Sequence, residues 1–309
     1  MTACLDTLPI TRLRLIARAD APLQLPPYAG SMLRGAWGHA LLALSPLPHE
    51  DGKPCALHAT CPYCQLFAAP PLPAHSLQKF SHMPQPYVIE PPTGGAQRLQ
   101  AGQTFDFGLV LIGRALGLLP TVLQAWERAL HTGLGQERAL CTLLEISSQN
   151  GCQRLSIERE QLLNLNFSLP PPPLLGQQAT LHFHTPLRLQ VQGKPARASQ
   201  LTARDLLITL ARRHQLLRDV HLGAAAPQHD FKAIVEQTQA IELHAQDLRW
   251  FDWGRYSQRQ QQEMQLGGLL GTAELRGNLA PFAGLLHLGQ WLHVGKNASF
   301  GLGGYRLAA

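Results

Sequence analysis

The sequence has few charged residues and no long apolar run, and both shortages limit what the chain can be. Charged side chains make up 15% of the 309 residues, and the mean hydropathy of -0.07 is ordinary for a globular protein. No run of about 18 apolar residues is present, so we expect no membrane partner. The first 15 residues lack the basic start and apolar core of a signal peptide, which favours a cytoplasmic protein.

The excess of positive charge is small and the common nucleotide-binding motifs are missing. Lys and Arg total 26 against 20 Asp and Glu, which gives a net charge of +6 before the 14 histidines are counted. This balance permits a polyanionic partner without requiring one. Lys296 is followed by Asn297 instead of Ser or Thr, and no G-x-G-x-x-G opens a helix there, so a Walker loop is excluded.

Two halves of the chain predict the same order of elements. In the first half, the periodicity predicts strands at 11–19, 87–90, 105–112 and 141–148, and helices at 31–44 and 120–130. In the second, it predicts strands at 179–192 (broken at Pro186), 248–253, 267–275 and 305–307, and helices at 201–222 and 281–293. The order β-α-β-β-α-β is that of a ferredoxin-like sandwich.

We therefore predict an α+β fold of two tandem ferredoxin-like (RRM-like) domains. The first spans residues 1–167, with a Cys-rich loop inserted at about 46–86. A proline-rich linker follows at 168–177, because four consecutive prolines cannot continue a helix or a central strand. The second domain spans 178–309 and carries a glycine-rich loop.

The glycine-rich loop near the end of the chain is a candidate phosphate site. Gly295, Gly301 and Gly303 surround Lys296, with His293 just before them. Glycine permits positive φ and leaves its N–H groups unshielded, and bare amides beside a lysine suit a phosphate. A purely structural glycine turn is the alternative.

Four residues of the inserted loop are candidate metal ligands. Cys55, His58, Cys61 and Cys64 recur at intervals of three. Three thiolates and one imidazole can close a tetrahedral zinc site, which would hold together a loop with little core of its own. The alternative is three free buried thiols and a surface histidine.

Several stretches resemble the RAMP superfamily of CRISPR-associated proteins, and most closely the endoribonucleases that process precursor CRISPR RNA. The similar stretches are LRGAWGHAL at 33–41, PQPYVIEPP at 84–92, TPLRL at 185–189, DWGRYSQRQ at 252–260, LGGLLG at 266–271 and HVGKNASFGLGGYRL at 293–307. The last of these is similar to the glycine-rich loop of the family. The Cys55 to Cys64 cluster is similar to one subgroup of these nucleases.

The resemblance implies two ferredoxin-like domains, in agreement with the repeated element order. It also implies cleavage of CRISPR repeat RNA without a catalytic cofactor, leaving a 2′,3′-cyclic phosphate and a 5′-hydroxyl, with retention of the mature guide RNA. Other CRISPR effector subunits are further expected partners. A non-catalytic RNA-binding subunit of an effector complex is the main alternative, and a zinc-stabilised adaptor that binds protein is another.

The resemblance also assigns site residues. It places the catalytic histidine on the first helix at His39, with Arg34 one turn away, Tyr28 just before the helix and Lys296 as the phosphate cation. His293 is the rival for the catalytic role, and a His39 packed between helix and sheet is the structural alternative. The candidate RNA contacts are Arg212, Arg213, Arg255 and Arg259, together with the loop glycines Gly295, Gly301 and Gly303. For the arginines, a solvated basic face is the alternative.

Overall fold

The structure, a computed structural model, describes residues 8–49, 55–68, 83–148, 155–156, 169–191, 193–222, 228–245, 247–252, 254–257, 262–265 and 267–309. The chain divides into two compact units. The first unit contains Leu8–Pro170 and Leu217–Ala224. The second contains Pro171–Leu216 and Ala225–Ala309. Among the described residues, no helix is both long and apolar enough to cross a bilayer.

The first unit is a five-stranded antiparallel sheet with two long helices. Its strands pair in the order β3-β5-β1-β6-β7, and β2 pairs separately with β4. The four main strands thus follow the ferredoxin-like arrangement. The elements are β1 Ile10–Ala19, β2 Leu23–Leu25, α1 Gly30–Ala43, α2 Pro62–Leu66, β3 Tyr87–Glu90, β4 Gln97–Leu99, β5 Thr104–Ile112, a 3₁₀ segment Gly113–Leu118, α3 Leu119–Thr132, β6 Cys141–Ser148 and β7 Leu155–Ser156.

Buried and less buried residues alternate along β1, and the buried ones form the face of the sheet on which the helices pack. Leu13 and Leu15 are fully buried in the core cluster that also contains the inner residues of α1 and α3. Trp37 of α1 stacks on Trp126 of α3, with ring centroids 5.6 Å apart. The Trp37 indole also donates to the Val122 carbonyl at 3.3 Å. One aromatic pair therefore fixes α1 against α3.

The second unit repeats this architecture. Its strands pair in the order β11-β15-β8-β16, and β12 also pairs with β15. The elements are β8 Gln178–Leu187, β9 Gln190–Val191, β10 Lys194–Pro195, α4 Ala203–His221, α5 Phe231–Thr238, β11 Glu242–His244, β12 Arg249–Phe251, β13 Gly254–Ser257, β14 Gln262–Gln265, β15 Gly268–Arg276, α6 Ala283–Leu292 and β16 Tyr305–Ala308, with 3₁₀ turns at Ala198–Gln200, Ala280–Phe282 and Ala298–Phe300. The prediction of two ferredoxin-like folds is confirmed.

Two details of the second unit differ from the expectation. The strand expected to break at Pro186 continues through it to Leu187. The register of β15 against β8 shifts between Leu269 and Gly271, so no ladder partner requires the missing N–H of Pro186. The strand expected at 248–253 is present as β12, and an additional short strand before it, β11, also pairs with β15.

Candidate functional site

Helix α1 presents an exposed row of small residues around His39. Gly35, His39 and Ala43 are exposed and follow one another at four-residue intervals, so they share one face of the helix. Trp37 and Leu41 are fully buried on the inner side. A β carbon at position 35 would meet nothing within 4 Å. The imidazole of His39 is therefore open to a large ligand, and the structural alternative of a histidine packed between helix and sheet is wrong.

Arg34 and His39 lie on different faces of α1. Five residues along an α-helix turn the side chain by about 140°, which places the two residues on different faces. The Arg34 guanidinium carbon lies 4.2 Å from the centre of the Phe67 ring and 6.0 Å from that of Tyr87. Arg34 is half-buried and makes cation–π contacts there. Arg34 thus lies about one turn from His39, as expected, but on a different face of the helix, and its catalytic role stays a prediction.

Tyr28 lies just before α1 and is 7% exposed. Burial raises the pKa of its phenol well above the ordinary value, and the negative charge of Glu90 adds to the effect. The hydroxyl therefore stays protonated at neutral pH. In that state it can donate a hydrogen bond but cannot take a proton as a base.

His293 holds the start of the glycine-rich loop. It caps the end of α6 with a positive φ of 57°. Its Nδ1 lies 3.0 Å from the carbonyl oxygen of Gly301 and 3.2 Å from that of Leu302. Since both neighbours are acceptors, Nδ1 carries the proton and donates to them. The side chain is fully buried, so this geometry suits a structural role in the loop.

Three amides of the glycine-rich loop already donate hydrogen bonds within the second unit, one to the loop itself and two to β8. The expectation of unpaired amides, drawn from the number of glycines, is therefore wrong for Gly301, Gly303 and Gly304. RNA contact by Gly295, Gly301 and Gly303 stays a prediction. The bonds run from Gly301 N–H to the Ala298 carbonyl at 2.8 Å within the loop, and from Gly303 N–H to the Pro186 carbonyl at 2.9 Å and Gly304 N–H to the Thr185 hydroxyl at 2.7 Å on β8.

The glycines are required because the loop passes very close to neighbouring backbone. At Gly295 the φ is 97°, and a β carbon would lie 2.5 Å from the carbonyl oxygen of Arg188. At Gly303 the φ is 74°, and a β carbon would overlap the carbonyl of Val294. Between these constraints, the Lys296 amide donates to the Arg188 carbonyl at 2.8 Å, while its side chain is exposed. The loop thus offers a cation on a fixed backbone.

The four candidate arginines separate into different environments. Arg212 is exposed on α4. Arg213 is half-buried and its Nε donates to the Leu292 carbonyl at 2.6 Å, at the end of α6. Burial lowers the pKa of Arg213 to about 10. Arg213 therefore satisfies a helix end, and its contact with RNA stays a prediction. Arg255 lies on β13, where only the backbone is described, and Arg259 lies outside the described residues.

A cysteine cluster lies in the segment after α1. The ligand atoms of His49, Cys55, Cys61 and Cys64 all lie within 4.8 Å of one another. His49 Nε2 and Cys61 Sγ are 3.3 Å apart. Burial raises the pKa of the Cys64 thiol to about 12, and the neighbouring Cys61 contributes to the shift. For Cys61 itself, burial opposes ionisation, but hydrogen bonds, chiefly from the Cys64 backbone, outweigh burial and lower the pKa.

The fourth member of this cluster is not the predicted one. His58 is exposed, and its backbone N–H closes a turn onto the Cys55 carbonyl at 3.1 Å. His49 takes the place assigned to His58. The sequence signal would have been the spacing H-x₅-C-x₅-C-x₂-C, which the regular intervals of three obscured.

Comparisons with known proteins agree with this fold. No curated protein sequence matches the chain. Two structures of a Thermus thermophilus Cas6 align over 98% of this chain: its product complex with a TM-score of 0.59 at 18% identity, covering 100% of that chain, and a second structure with 0.56 at 15%, covering 99%. A partial Cas6-RT-Cas1–Cas2 complex aligns over 97% of this chain and 47% of that chain, with a TM-score of 0.50 and 16% identity.

Two ferredoxin-like units, the second with a glycine-rich loop before its last strand, agree with the resemblance to CRISPR-associated proteins of the RAMP type. Residues 8–166 match the family AF_1859_N, described as an N-terminal domain, and residues 181–305 match the family described as CRISPR-associated endoribonuclease Cas6. The first match covers half of the chain and places it in the AF_1859_N family, and residues 181–305 carry the domain of the CRISPR-associated endoribonuclease Cas6.

Proposed function

We propose that the chain cleaves CRISPR repeat RNA by attack of a ribose 2′-hydroxyl, without a catalytic metal. The proton leaves the 2′-hydroxyl as the O2′–P bond forms, and the P–O5′ bond breaks as the 5′-oxygen takes a proton. The products are a 2′,3′-cyclic phosphate and a 5′-hydroxyl. The observation that carries the proposal is the exposed His39, since histidine can move either proton near neutral pH.

Other side chains neutralise the phosphate, donate hydrogen bonds and position the RNA. Lys296 neutralises the charge that grows on the phosphate in the transition state, because its side chain is exposed and its backbone is fixed. Tyr28 serves only as a hydrogen-bond donor, since its pKa is raised. Arg212 positions the RNA backbone, and Arg255 and Arg259 are proposed to do the same. His293 remains the rival of His39, although its burial favours His39.

Several finer features belong to the same proposal. The protein retains the mature guide RNA after cleavage and acts in the cytoplasm, alone or with other CRISPR effector subunits. The domain limits are proposed at 1–167 and 178–309, with a linker at 168–177. A metal at the cysteine cluster would be structural only, since neither proton transfer nor phosphate neutralisation requires it here.

The test uses the full chain and a labelled repeat RNA in buffer with EDTA and no added metal. Cleavage should leave a 2′,3′-cyclic phosphate on the upstream fragment. A matched RNA with a single 2′-deoxy nucleotide before the scissile phosphate should bind equally and remain uncut. Binding of both RNAs without cleavage would support the non-catalytic subunit instead. Cleavage of the deoxy substrate would refute the proposed attack by the 2′-hydroxyl.

A further inference from the structure

The cysteine cluster has no part in the RNA chemistry and must be explained separately. Its members are His49, Cys55, Cys61 and Cys64, and all four lie in the first unit. Cys61 and Cys64 are buried, while His49 and Cys55 are half-buried. One imidazole and three thiols that converge on one point make a set of soft ligands. Four such ligands together indicate a metal site more strongly than any one of them alone.

The spacing of the ligand atoms fits a tetrahedral zinc ion. Zinc binds thiolate sulfur at about 2.3 Å and imidazole nitrogen at about 2.0 Å, so ligand atoms around one ion stand roughly 3.5–3.8 Å apart. Here all the ligand atoms lie within 4.8 Å of one another, and the separation between His49 Nε2 and Cys61 Sγ is 3.3 Å. Closing the set on an ion therefore requires side-chain shifts of only about 1 Å.

The local backbone holds the cysteines in this arrangement. Cys61 precedes the first turn of α2, and Cys64 lies one turn later, so both thiols face the same side. The Cys61 amide donates to the Leu57 carbonyl at 2.7 Å, which closes the turn after Cys55. The Gln65 side-chain amide then donates to the Ala59 carbonyl at 2.6 Å. These two hydrogen bonds stabilise the turn before Cys61 and connect it to α2.

Outer contacts orient the imidazole and one thiol. The edge of the His49 ring meets the Tyr63 ring, with centroids 4.9 Å apart. The Ser45 hydroxyl lies 3.6 Å from Cys61 Sγ, at the end of α1. Metal ligands are commonly held in this way by neighbours that fix their orientation.

We propose that His49 Nε2 and the Sγ atoms of Cys55, Cys61 and Cys64 bind one structural zinc ion. Binding releases three thiol protons and leaves the imidazole neutral, so affinity rises with pH. The ion joins the segment after α1 to α2. Immediately after α2, Phe67 rests against Gly38 of α1, where a β carbon would lie 2.7 Å from the ring. The ion therefore braces the inner side of the helix that carries His39.

His49 and His58 provide a matched test, because only His49 belongs to the cluster. Full-length protein, His49→Ala and His58→Ala would be purified from zinc-supplemented medium and analysed for metal content. The native chain and His58→Ala should hold about one zinc per chain. Zinc release to a chromophoric chelator should be at least tenfold faster from His49→Ala. Equal release by both variants would overturn the assignment of His49, and absence of zinc from the native chain would overturn the site.

A spectroscopic measurement keeps the proposal testable if a variant folds poorly. Native protein stripped of metal at low pH and refolded with Co²⁺ should show thiolate-to-cobalt charge transfer and the strong visible bands of a tetrahedral site. Zinc should displace the cobalt and abolish both features. The weak bands of octahedral cobalt would refute the site. Neither readout depends on RNA cleavage, so this proposal and the proposed nuclease mechanism can fail separately.

Discussion

Gly35 and Gly38 lie one turn apart on α1 and allow a matched test of how this helix is packed. Alanine in place of glycine in a helix interior stabilises the fold by about 1 kcal/mol through backbone entropy. At Gly35 nothing lies within 4 Å of the new β carbon, so the full gain is expected. At Gly38 the β carbon would lie 2.7 Å and 2.8 Å from two ring carbons of Phe67.

The Phe67 ring cannot withdraw cheaply from that contact. It stacks on Tyr87 with centroids 5.5 Å apart and on Tyr63 at 5.7 Å, and it meets Trp37 at 5.6 Å. Forcing a methyl group into such a cluster costs about 1–3 kcal/mol. After the gain in helix propensity is subtracted, Gly38→Ala should lose between zero and about 2 kcal/mol.

Calorimetry of the full chain measures the difference. One kcal/mol shifts the Tm by about 2–4 °C for a domain of roughly 150–250 residues. Gly35→Ala should therefore raise the Tm of the first unit by about that amount, and Gly38→Ala should unfold at least about 2 °C below Gly35→Ala. Gly35→Ala is the control for helix propensity. Equal Tm values for the two variants would refute the packing of Phe67 on α1.

His39→Ala should lower the single-turnover cleavage rate roughly a hundredfold or more with little change in RNA affinity, because a proton-transfer group acts mainly in the transition state; cleavage at the parental rate would remove His39 from the mechanism. Lys296→Ala should weaken both rate and affinity, since a cation contacts phosphate in both states. Arg212→Ala should flatten the salt dependence of binding by about one unit, whereas Arg213→Met should leave that slope unchanged and lower the Tm, and the reverse pattern would contradict their environments. Unfolded tyrosine ionises near pH 10 while buried Tyr28 stays protonated, so stability should fall with rising pH above that point by about 1.4 kcal/mol per pH unit for this residue. The free energy of unfolding of Tyr28→Phe, measured with urea at several pH values above 10, should fall by about 1.4 kcal/mol less per pH unit than that of the parent.

Much of the fold follows from periodicity because the sheets have one buried face. Alternation along β1 and the helical spacing of α1 are strong signals, and both elements lie within a residue of their predicted ends. The shorter elements have too few residues for a period to appear, and α5, β11 and the antiparallel pair β13–β14 were missed for this reason. Continuation of β8 through Pro186 depends on the register of its neighbour, which one strand's sequence does not contain.

The candidate site was less predictable because side-chain direction decides it. Arg34 and His39 are close in sequence, but the helix turns them to different faces, and the Phe67 ring that receives Arg34 is 33 positions away. His58 fitted a regular spacing, yet spacing indicates direction only in helices and strands. In the turn between Cys55 and Cys61, the backbone bends His58 outward, and His49 supplies the imidazole.

The internal hydrogen bonds of the glycine-rich loop bear on how it could hold RNA. An amide nest would attract phosphate through fixed partial charges, but the amides of Gly301, Gly303 and Gly304 already have acceptors within the unit. The exposed Lys296 is a full charge, and a full charge that neutralises a phosphate releases a counterion. Phosphate contact by this loop should therefore depend on salt and on one side chain. The glycines serve a different purpose, because they let the backbone approach Arg188 and Val294 closely enough to fix where Lys296 stands.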